Sequence, residues 1–404
     1  MKSEWNTSAI ANICKVVTDG SHTSPKSVSH GKYMVSVKDF TPYGFDFNGC
    51  RQISFADYEK LKSSGCVPQK GDILIGKDGA RYFEDIIIYN QDEAPALLSS
   101  IAILRCDEEK VIPEYLYYLL KTPSFKKDVK DNYGSGSAIP RIILKDFKRM
   151  KVKYPSIEKQ RQIVSILHDL DAKIFNNQKV NDNLEQQAVA LFKSWFVDFS
   201  LFGGTVPENW EDTTLENITT LITRGIAPKY SDNSDQTVVN QKCIRNHTID
   251  LSLARTHTPK AINEKWLKFG DLLINSTGDG TLGRVAQVWF APKALTVDSH
   301  VTIVRLAREE LIFYIGLWGI LHEKEIESLH TGSTGQTELP RDRVKMLKLL
   351  LPDNISLSRF NSIITPMAST IISNQEENQK LASLRDTLLP KLMSGEIDVS
   401  NIQF

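Results

Sequence analysis

Six polar, glycine-rich loops with basic residues at their edges are the parts of this sequence best suited to chemistry. Their side chains are mainly Ser, Thr, Asn, Gln, Lys and Arg, which hold phosphates and read base edges, and glycine lets backbone amides approach a phosphate closely. The loops are residues 18–26, 76–81 and 133–141 in the first half of the chain and 223–230, 275–284 and 331–337 in the second. Because they occupy corresponding places but differ in side chains, we predict a recognition surface.

The remaining spacings give no catalytic site. Residues 278–283 match a Gly-x-Gly-x-x-Gly string, but a dinucleotide fingerprint needs a helix after it, and residues 284–288 have a strand pattern. We therefore predict a glycine hairpin there. The chain has no Walker loop, and its eight histidines lack metal-ligand spacing. Asp72 and Asp271 each lie between a glycine and an apolar strand, so we predict that they cap turns.

The loops recur because the chain repeats itself. Residues 5–13 return at 210–218, residues 71–75 at 270–274, and the glycine-rich segment that ends in Pro140-Arg141 returns with Pro340-Arg341. The offsets are 205, 199 and 200, and a period near 200 residues indicates two copies of a whole domain. Two unequal copies can recognise two similar but non-identical targets at once.

Size and composition agree with two ordinary globular domains. The chain has 404 residues, 41% of them hydrophobic. The longest apolar run, residues 311–321, is too short to cross a bilayer, and residues 1–4 do not begin a signal peptide, so we expect a cytoplasmic protein. Five cysteines without Cys-x-x-Cys spacing are expected to be free thiols. Lys plus Arg equals Asp plus Glu at 49 each, so any nucleic acid must be held by local patches or shared with partners.

Each copy is predicted to be a strand-rich unit followed by one long helix. In the first copy, short β-branched or aromatic runs at residues 33–37, 72–75, 86–89 and 101–104 predict strands. Residues 113–121 begin with a proline suited to the first helical position and predict a buried helix, with a counterpart at 310–321. The fold class is therefore α/β (α+β) with mainly antiparallel sheets.

A heptad ladder follows each unit. The residues of the ladder, here called rungs, are spaced alternately four and three residues apart. Adding 197 to the number of each rung in the first ladder gives the corresponding rung in the second. The first ladder is Ile163, Leu167, Leu170, Ile174, Asn177, Asn181, Leu184, Ala188, Leu191 and Trp195, and the second is Phe360, Ile364, Met367, Ile371, Asn374, Asn378, Leu381, Arg385, Leu388 and Leu392. A 3.5-residue period predicts a coiled coil rather than a helix packed only on its own domain.

The polar rungs also predict how the helices meet. Two copies related by a pseudo-two-fold axis place their helices antiparallel, which pairs Asn177 with Asn378 and Asn181 with Asn374. Buried asparagines lower stability but fix register, because a slipped pairing leaves an amide without a partner. Pro366 is expected to mark a late start or a kink in the second helix, and Pro390 a kink near its end.

In four segments, which include two of the polar loops and the ends of both helix ladders, the chain resembles the specificity subunit of Type I restriction-modification enzymes. The resemblance is carried by residues 270–285 (GDLLINSTGDGTLGRV), 18–22 (TDGSH), 194–199 (SWFVDF) and 384–397 (LRDTLLPKLMSGEI). It covers essentially the whole chain, in the order target-recognition domain, helix, target-recognition domain, helix. The resulting division is residues 1–155 and 201–352 for the two target-recognition domains, 156–200 for the first spacer helix, and 353–404 for the second helix and tail.

The resemblance implies a non-catalytic reader of double-stranded DNA. Each target-recognition domain would read one half of a bipartite, asymmetric site, and the helices would set the gap. Two methyltransferase subunits would carry S-adenosylmethionine, and restriction subunits with ATP and Mg could join them, while this chain would bind no cofactor itself. A different class remains open at this point: an interaction scaffold whose coil assembles proteins and whose paired domains bind protein or glycan.

With this reading, the loop residues become candidate DNA contacts. In the first copy they are Ser21, His22, Lys26, Lys77, Arg81, Ser135, Ser137 and Arg141. In the second copy they are Arg224, Lys229, Thr277, Arg284, Ser333, Thr334, Gln336 and Arg341. Five basic residues at the loop edges are expected on one DNA-facing side: Lys77, Arg81, Arg224, Lys229 and Arg284.

Overall fold

The protein, described as a computed structural model over residues 5–134, 140–278, 280–332 and 337–399, forms two compact units. The first unit contains residues 1–174 and 379–404, and the second contains residues 175–378. Each unit has its own sheets and its own apolar cores. Two long helices, α6 (Ile157–Phe196) and α10 (Asn354–Ser394), contribute residues to both units.

The first unit is built around two four-stranded sheets. One has the order β2-β11-β8-β9 and is antiparallel throughout, and the other has the order β10-β4-β7-β3 with one parallel pair, β10 with β4. The strands are β1 (Asn6–Ala9), β2 (Cys14–Asp19), β3 (Ser27–Val28), β4 (Lys32–Val35), β5 (Phe40–Thr41), β6 (Gly44–Phe45), β7 (Gln52–Ile53), β8 (Ile73–Gly76), β9 (Ile86–Ile88), β10 (Ala96–Leu97), β11 (Ile101–Cys106) and β12 (Lys151–Tyr154). The shorter helices are α1 (Ile10–Ile13), α2 (Phe55–Ser63), α3 (Pro113–Lys121), α4 (Pro123–Asn132) and α5 (Leu144–Arg149).

The elements predicted in the first unit are confirmed. Strands β4, β8, β9 and β11 coincide with the predicted runs to within one or two residues. Strand β8 is apolar on both faces because it lies between β11 and β9 and is covered on each side, and its Ile73, Leu74 and Ile75 are all fully buried. Helix α3 begins at Pro113, as the proline predicts, and packs its tyrosines and leucines into the core.

The second unit repeats this plan. Its main sheet has the order β14-β22-β19-β20, the counterpart of β2-β11-β8-β9. The strands are β13 (Glu211–Thr214), β14 (Thr219–Arg224), β15 (Thr237–Val239), β16 (Ile244–Arg245), β17 (Thr248–Ile249), β18 (Arg255–Thr256), β19 (Leu272–Asn275), β20 (Val285–Gln287), β21 (Leu295–Val297), β22 (Val301–Leu306) and β23 (Lys348–Leu351). The shorter helices are α7 (Ile312–Leu321), α8 (Glu323–Ser328) and α9 (Arg341–Lys345). The glycine string lies between β19 and β20, which pair antiparallel, so the predicted hairpin is confirmed.

A buried carboxylate is tied down at the start of the same strand in each unit. Asp72 accepts a hydrogen bond from the backbone N–H of Gln69 at 2.7 Å, and Asp271 accepts one from Lys268 at 2.8 Å, so both cap turns as predicted. Each also receives two N–H bonds from an arginine on the neighbouring strand. Arg105 of β11 binds Asp72 at 2.8 Å through both nitrogens, and Arg305 of β22 binds Asp271 at 2.8 and 2.7 Å.

The two long helices run antiparallel in each unit. In the first unit, Asp171 of α6 binds Arg385 of α10 at 2.8 Å and accepts a hydrogen bond from Tyr118 at 2.8 Å. Ile163 and Leu167 share a core with Leu389 and Leu392 of α10. Rising numbers on α6 therefore meet falling numbers on α10, which confirms the antiparallel coiled coil.

In the second unit the helix seam carries the asparagine rungs. Asn177 donates to Oδ1 of Asn378 at 2.9 Å, and Asn374 donates to Oδ1 of Asn181 at 2.8 Å. Mirroring the ladder about its centre predicts these two pairs. Asn177 is buried, and its amide also donates to Glu377 at 2.7 Å. That these pairs fix the register stays a prediction.

Of the two outcomes expected at Pro366, a late start of the second helix is wrong, whereas the kinks expected at Pro366 and Pro390 stay predictions. Helix α10 begins at Asn354 and continues through Pro366 and Pro390. An interior proline removes its own N–H from the helix ladder, and its ring crowds the carbonyl of the preceding turn. The neighbouring residues Ile364 and Ala368 are buried in the seam, and this packing keeps the helix continuous across the proline. Within the described residues, no helix combines the length and apolarity needed to cross a membrane.

Asp353 caps α10 and connects it to the repeated tryptophan. Its carboxylate accepts from the backbone N–H groups of Ile355 and Ser356 at 2.8 and 3.0 Å and from the indole N–H of Trp210 at 2.8 Å. Partial burial acts to raise the pKa of Asp353, but the hydrogen bonds from Ser356, Trp210 and Ile355 outweigh it and lower the pKa to about 2. The carboxylate therefore stays ionised, and both of its oxygens can accept hydrogen bonds at the N-terminus of the helix.

We predict that Asp353→Ala destabilises the protein by about 1 to 2 kcal/mol, because the substitution removes the N-cap and leaves the N–H of Trp210 without its acceptor. Urea denaturation followed by circular dichroism measures the change. Asp353→Asn is the control, since its amide oxygen can still cap the helix, and it should lose less stability than Asp353→Ala. Equal stability of parent and Asp353→Ala would contradict the prediction.

Candidate nucleic-acid interface

In the first unit, the loops that follow β2 and β8 meet around a buried acid. Asp19, at the end of β2, lies 3.5 Å from the amine of Lys77 and 3.3 Å from Nε2 of His22. Lys77 also contacts Asp78 at 3.3 Å. A β-bridge joins Asp78 to Arg141 and brings the third loop to the same place. The cluster therefore gathers all three predicted loops of the first copy at one end of the sheet.

The predicted contacts of this cluster divide into exposed and supporting side chains. The side chains of His22, Lys26, Arg81 and Arg141 are exposed, and Arg81 binds Asp85 at 2.8 Å. Ser21 is buried and donates to the carbonyl of Thr23 at 2.7 Å. Lys77 is only 6% exposed, because it neutralises Asp19. Ser21 and Lys77 thus act within the protein as supports of the loops, and Ser135 and Ser137 lie outside the described residues.

In the second unit, the corresponding loops meet around an arginine. Arg224, at the end of β14, binds Glu338 at 2.8 Å and donates to the carbonyl of Leu339 at 2.8 Å. Glu338 in turn forms β-bridges with Thr277 and Thr331, so the three loops of the second copy also converge. Lys229 and Arg341 are exposed, whereas Ser333, Thr334 and Gln336 lie outside the described residues.

The two clusters carry opposite charges at equivalent positions. Asp19 and Arg224 each precede the glycine at which the chain passes close to a neighbouring carbonyl. Arg141 forms a β-bridge with Asp78 in the first unit, and Glu338 forms one with Thr277 in the second. Asp78 and Thr277 each lie two residues after the end of the corresponding strand, β8 or β19. The sign of the charge at the Asp19/Arg224 position and at the Arg141/Glu338 position is thus reversed between the copies, although the backbone framework is the same.

The structure corrects one detail of the repeat. The sequence match places Arg141 opposite Arg341, but the backbone hydrogen bonds run from Ile142 N–H to the Lys77 carbonyl and from Leu339 N–H to the Ser276 carbonyl. The equivalent of Arg141 is therefore Glu338. Arg341 instead is the first residue of α9, and its counterpart in the first unit is Leu144, the first residue of α5. The two Pro-Arg pairs are three residues out of register because backbone pairing, and not residue identity, sets the alignment.

Two polar side chains of the second cluster were not predicted. Gln241 and His300 both hydrogen bond to the hydroxyl of Thr277, at 3.1 and 2.7 Å. Neither belongs to a glycine-rich loop. His300 directly precedes β22, and this position is what could have marked it. Its carbonyl accepts a hydrogen bond from the Ser276 N–H at 2.8 Å, just as the carbonyl of Ser100 accepts one from the Lys77 N–H at 2.9 Å in the first unit.

A second polar feature of this unit is a cavity of about 780 Å³ between a hairpin and α6. The β16–β17 hairpin turns at Asn246 and His247, which have φ of 48° and 58°, the left-handed pair of a type I′ turn. His247 Nδ1 lies 2.5 Å from Glu185 of α6, and its Nε2 lies 3.7 Å from Glu323 of α8. The cavity is also lined by Asp182, Lys193 and Arg284, a predicted DNA contact whose guanidinium donates to the Gly280 carbonyl at 2.8 Å.

The hairpin contact depends on the charge of His247. Hydrogen bonds to Glu185 and Glu323 raise its pKa to about 9, although burial acts to lower it. The imidazole is therefore protonated at neutral pH and holds the hairpin against α6 through Glu185 and against α8 through Glu323.

Two copies of one α/β domain, each with converging polar loops beside antiparallel helices, define a paired recognition protein. Residues 2–186 match the Type I restriction modification DNA specificity domain. The chain is 30% identical over 322 residues to the Type I restriction enzyme MjaIX specificity subunit of Methanocaldococcus jannaschii, covering 73% of this chain and 71% of that protein. It is 22% identical over 413 residues to the HindI specificity subunit of Haemophilus influenzae, covering 81% and 87%. The chain therefore belongs to the family of Type I restriction-modification specificity subunits.

A solved structure shares the fold. The crystal structure of the Type I restriction-modification S subunit from M. genitalium superposes with a TM-score of 0.54 at 15% identity, covering 97% of this chain and 96% of that chain.

We predict a pH dependence of stability from His247. Its pKa is about 9 in the folded protein and about 6.5 when unfolded. The contribution of the protonated imidazole is then fully present below pH 6.5 and is lost as the pH rises through 9. Urea denaturation at pH 6.5 and 9.5 should show that the parent loses more stability over this interval than His247→Asn, which preserves the type I′ turn. His168→Asn, which removes an exposed imidazole on α6, should behave like the parent.

Proposed function

We propose that this chain is the non-catalytic DNA-sequence-specificity subunit of a Type I restriction-modification complex. Each unit would read one half of a bipartite, asymmetric site in double-stranded DNA through its loop cluster. The observation that carries the proposal is the reversal of charge between Asp19 and Arg224 and between Arg141 and Glu338 on one shared framework. Two readers that keep a framework but exchange donors for acceptors are suited to two different base sequences.

The helices would set the spacing between the two half-sites. Helix α6 has 40 residues, about 60 Å at ~1.5 Å per residue, which exceeds one turn of DNA at roughly 34 Å. The paired asparagines support one register, because sliding α6 along α10 would separate the amides from their hydrogen-bond partners and place the buried amide of Asn177 against apolar side chains. A fixed register would give a fixed spacer length.

Catalysis is proposed to lie on other chains. Two methyltransferase subunits would bind S-adenosylmethionine, and restriction subunits would use ATP and Mg, whereas this chain would bind none of these cofactors. Its balance of 49 basic and 49 acidic residues supports a shared phosphate clamp, because a reader with no basic excess gains its salt-dependent affinity from partner subunits.

A domain exchange tests the proposed function. Residues 1–155 are replaced by the first domain of another family member, and the methylated sites in a host that carries the system are sequenced. We expect one half-site to change while the other half and the spacer remain. The control exchange replaces residues 201–352 and should change the opposite half only. A single exchange that alters both halves would refute independent reading, and a parent without sequence-dependent sites would favour the interaction scaffold.

A matched insertion tests the spacer role. Seven residues are added to α6 between Lys179 and Val180 and to α10 between Gln375 and Glu376, two points that lie opposite each other between the asparagine pairs. One heptad preserves the seam and lengthens each helix by about 10.5 Å. The DNA spacer should grow by about three base pairs at ~3.4 Å each, with both half-sites unchanged. An unaltered spacer in a folded variant would exclude the helices as its determinant.

A further inference from the structure

A polar triad in the second unit presents two unused hydrogen-bonding atoms. The hydroxyl of Thr277 lies 3.1 Å from Oε1 of Gln241 and 2.7 Å from Nδ1 of His300. Gln241 starts a short 3-10 helix, Thr277 follows β19, and His300 precedes β22, so three separate segments supply the triad.

Hydrogen bonds between backbone and side chains hold the segments of Gln241 and His300. The carbonyl of Gln241 accepts from the side-chain amide of Asn275 at 3.1 Å, and the backbone N–H of His300 donates to the buried Asp298 at 2.9 Å. Gly278 has φ of 101°, and a Cβ there would lie 2.8 Å from Oε1 of Gln241. A glycine at this position is therefore required for the Gln241 amide to reach Thr277.

The directions of these hydrogen bonds determine what remains free. The Oε1 atom of Gln241 can only accept, so the single hydroxyl proton of Thr277 is donated to it. The tautomer of the His300 imidazole that fits this arrangement carries its proton on Nδ1 and donates to Thr277, which leaves Nε2 as an acceptor. Among the described residues, neither Nε2 of His300 nor the NH₂ group of Gln241 has a hydrogen-bond partner. The exposed His300 and the half-buried Gln241 thus offer one acceptor and one donor.

We propose that Gln241, Thr277 and His300 read an adenine in the half-site of the second unit, an inference that rests on the proposed function. In the major groove adenine shows the N7 acceptor beside the N6 amino donor, which matches the free donor of Gln241 and the free acceptor of His300. Guanine shows two acceptors there, cytosine a donor, and thymine an acceptor with a methyl group. A lone glutamine could supply both contacts, but here Thr277 occupies its oxygen, so His300 supplies the acceptor.

The first unit does not repeat this arrangement. Asp78 stands where the second unit has Thr277, and Ser100 stands where it has His300. The corresponding 3-10 helix begins with Val37 in place of Gln241. The adenine contact should therefore affect one half-site only.

Selection from random DNA duplexes tests the triad in the full chain assembled with its methyltransferase partners. His300→Ala and Gln241→Ala should each lower the preference for adenine at one position of one half-site by about tenfold or more, with the other half unchanged. Thr277→Val should do the same by releasing both partners, whereas Thr277→Ser should keep the preference. His168→Ala, which removes an exposed imidazole far from the triad in the chain, is the control and should select the parental sequence.

Base analogues in the DNA, bound by the parent and by the two alanine variants, test the individual contacts. Deoxynebularine, which lacks the N6 amino group, should weaken binding by the parent but cause no further loss in His300→Ala. 7-Deazaadenine, which lacks N7, should weaken the parent but cause no further loss in Gln241→Ala, because each pair of changes removes one shared contact.

The outcomes separate the triad from the proposed function. A parent that selects no sequence would overturn the proposed function and the triad with it. A parent that selects a bipartite site whose preferences are the same in all triad variants would overturn the triad alone. Additive losses between analogues and variants would likewise exclude direct contact by these side chains.

Discussion

The buried aspartate at the start of β8 and of β19 is the constraint on which the rest of each unit depends. Asp72 is 0% exposed and Asp271 is 1% exposed, and an unpaired carboxylate at such a depth would cost several kcal/mol. Arg105 and Arg305 each bind it through two nitrogens from the next strand. Strand slippage would leave the charge unpaired, so the register is fixed. The polar loops leave the far ends of these same strands and inherit that register.

Glycine supplies the second fixed point of the loop clusters. A Cβ at Gly20 would lie 2.4 Å from the carbonyl oxygen of Leu97, and one at Gly225 would lie 1.9 Å from that of Val297. No side chain fits at either place, so the framework is the same in both units. The residues just before these glycines have no such restriction, and there Asp19 stands in one unit and Arg224 in the other. A position that only glycine can occupy thus directly follows a position at which the side chain can vary. This arrangement allows the same fold to present different side chains in the two units.

The helix seam combines stability with specificity in a different way in each unit. The first unit pairs Asp171 with Arg385 and Tyr118, and the second pairs amides with amides. Farther along the second seam, aromatic rings pack edge to face, with Phe196 and Phe360 centred 4.8 Å apart at an interplanar angle of 80°. The aromatic rings contribute apolar burial, whereas the polar rungs are predicted to discriminate between registers, because apolar side chains tolerate sliding and hydrogen-bonded amides do not.

The sequence by itself determined the features that depend on local pattern. The two copies, the heptad ladders, the strand at residues 72–75, the helix beginning at Pro113 and the hairpin after β19 follow from periodicity, proline and glycine, whose effects act within a few residues. Only the tertiary structure decided the continuation of α10 through Pro366, the burial of Lys77 against Asp19, the equivalence of Arg141 with Glu338, and the meeting of His247 with Glu185. Each of these depends on groups far apart in the chain, and no local pattern records which distant charge or packing surface a residue will meet.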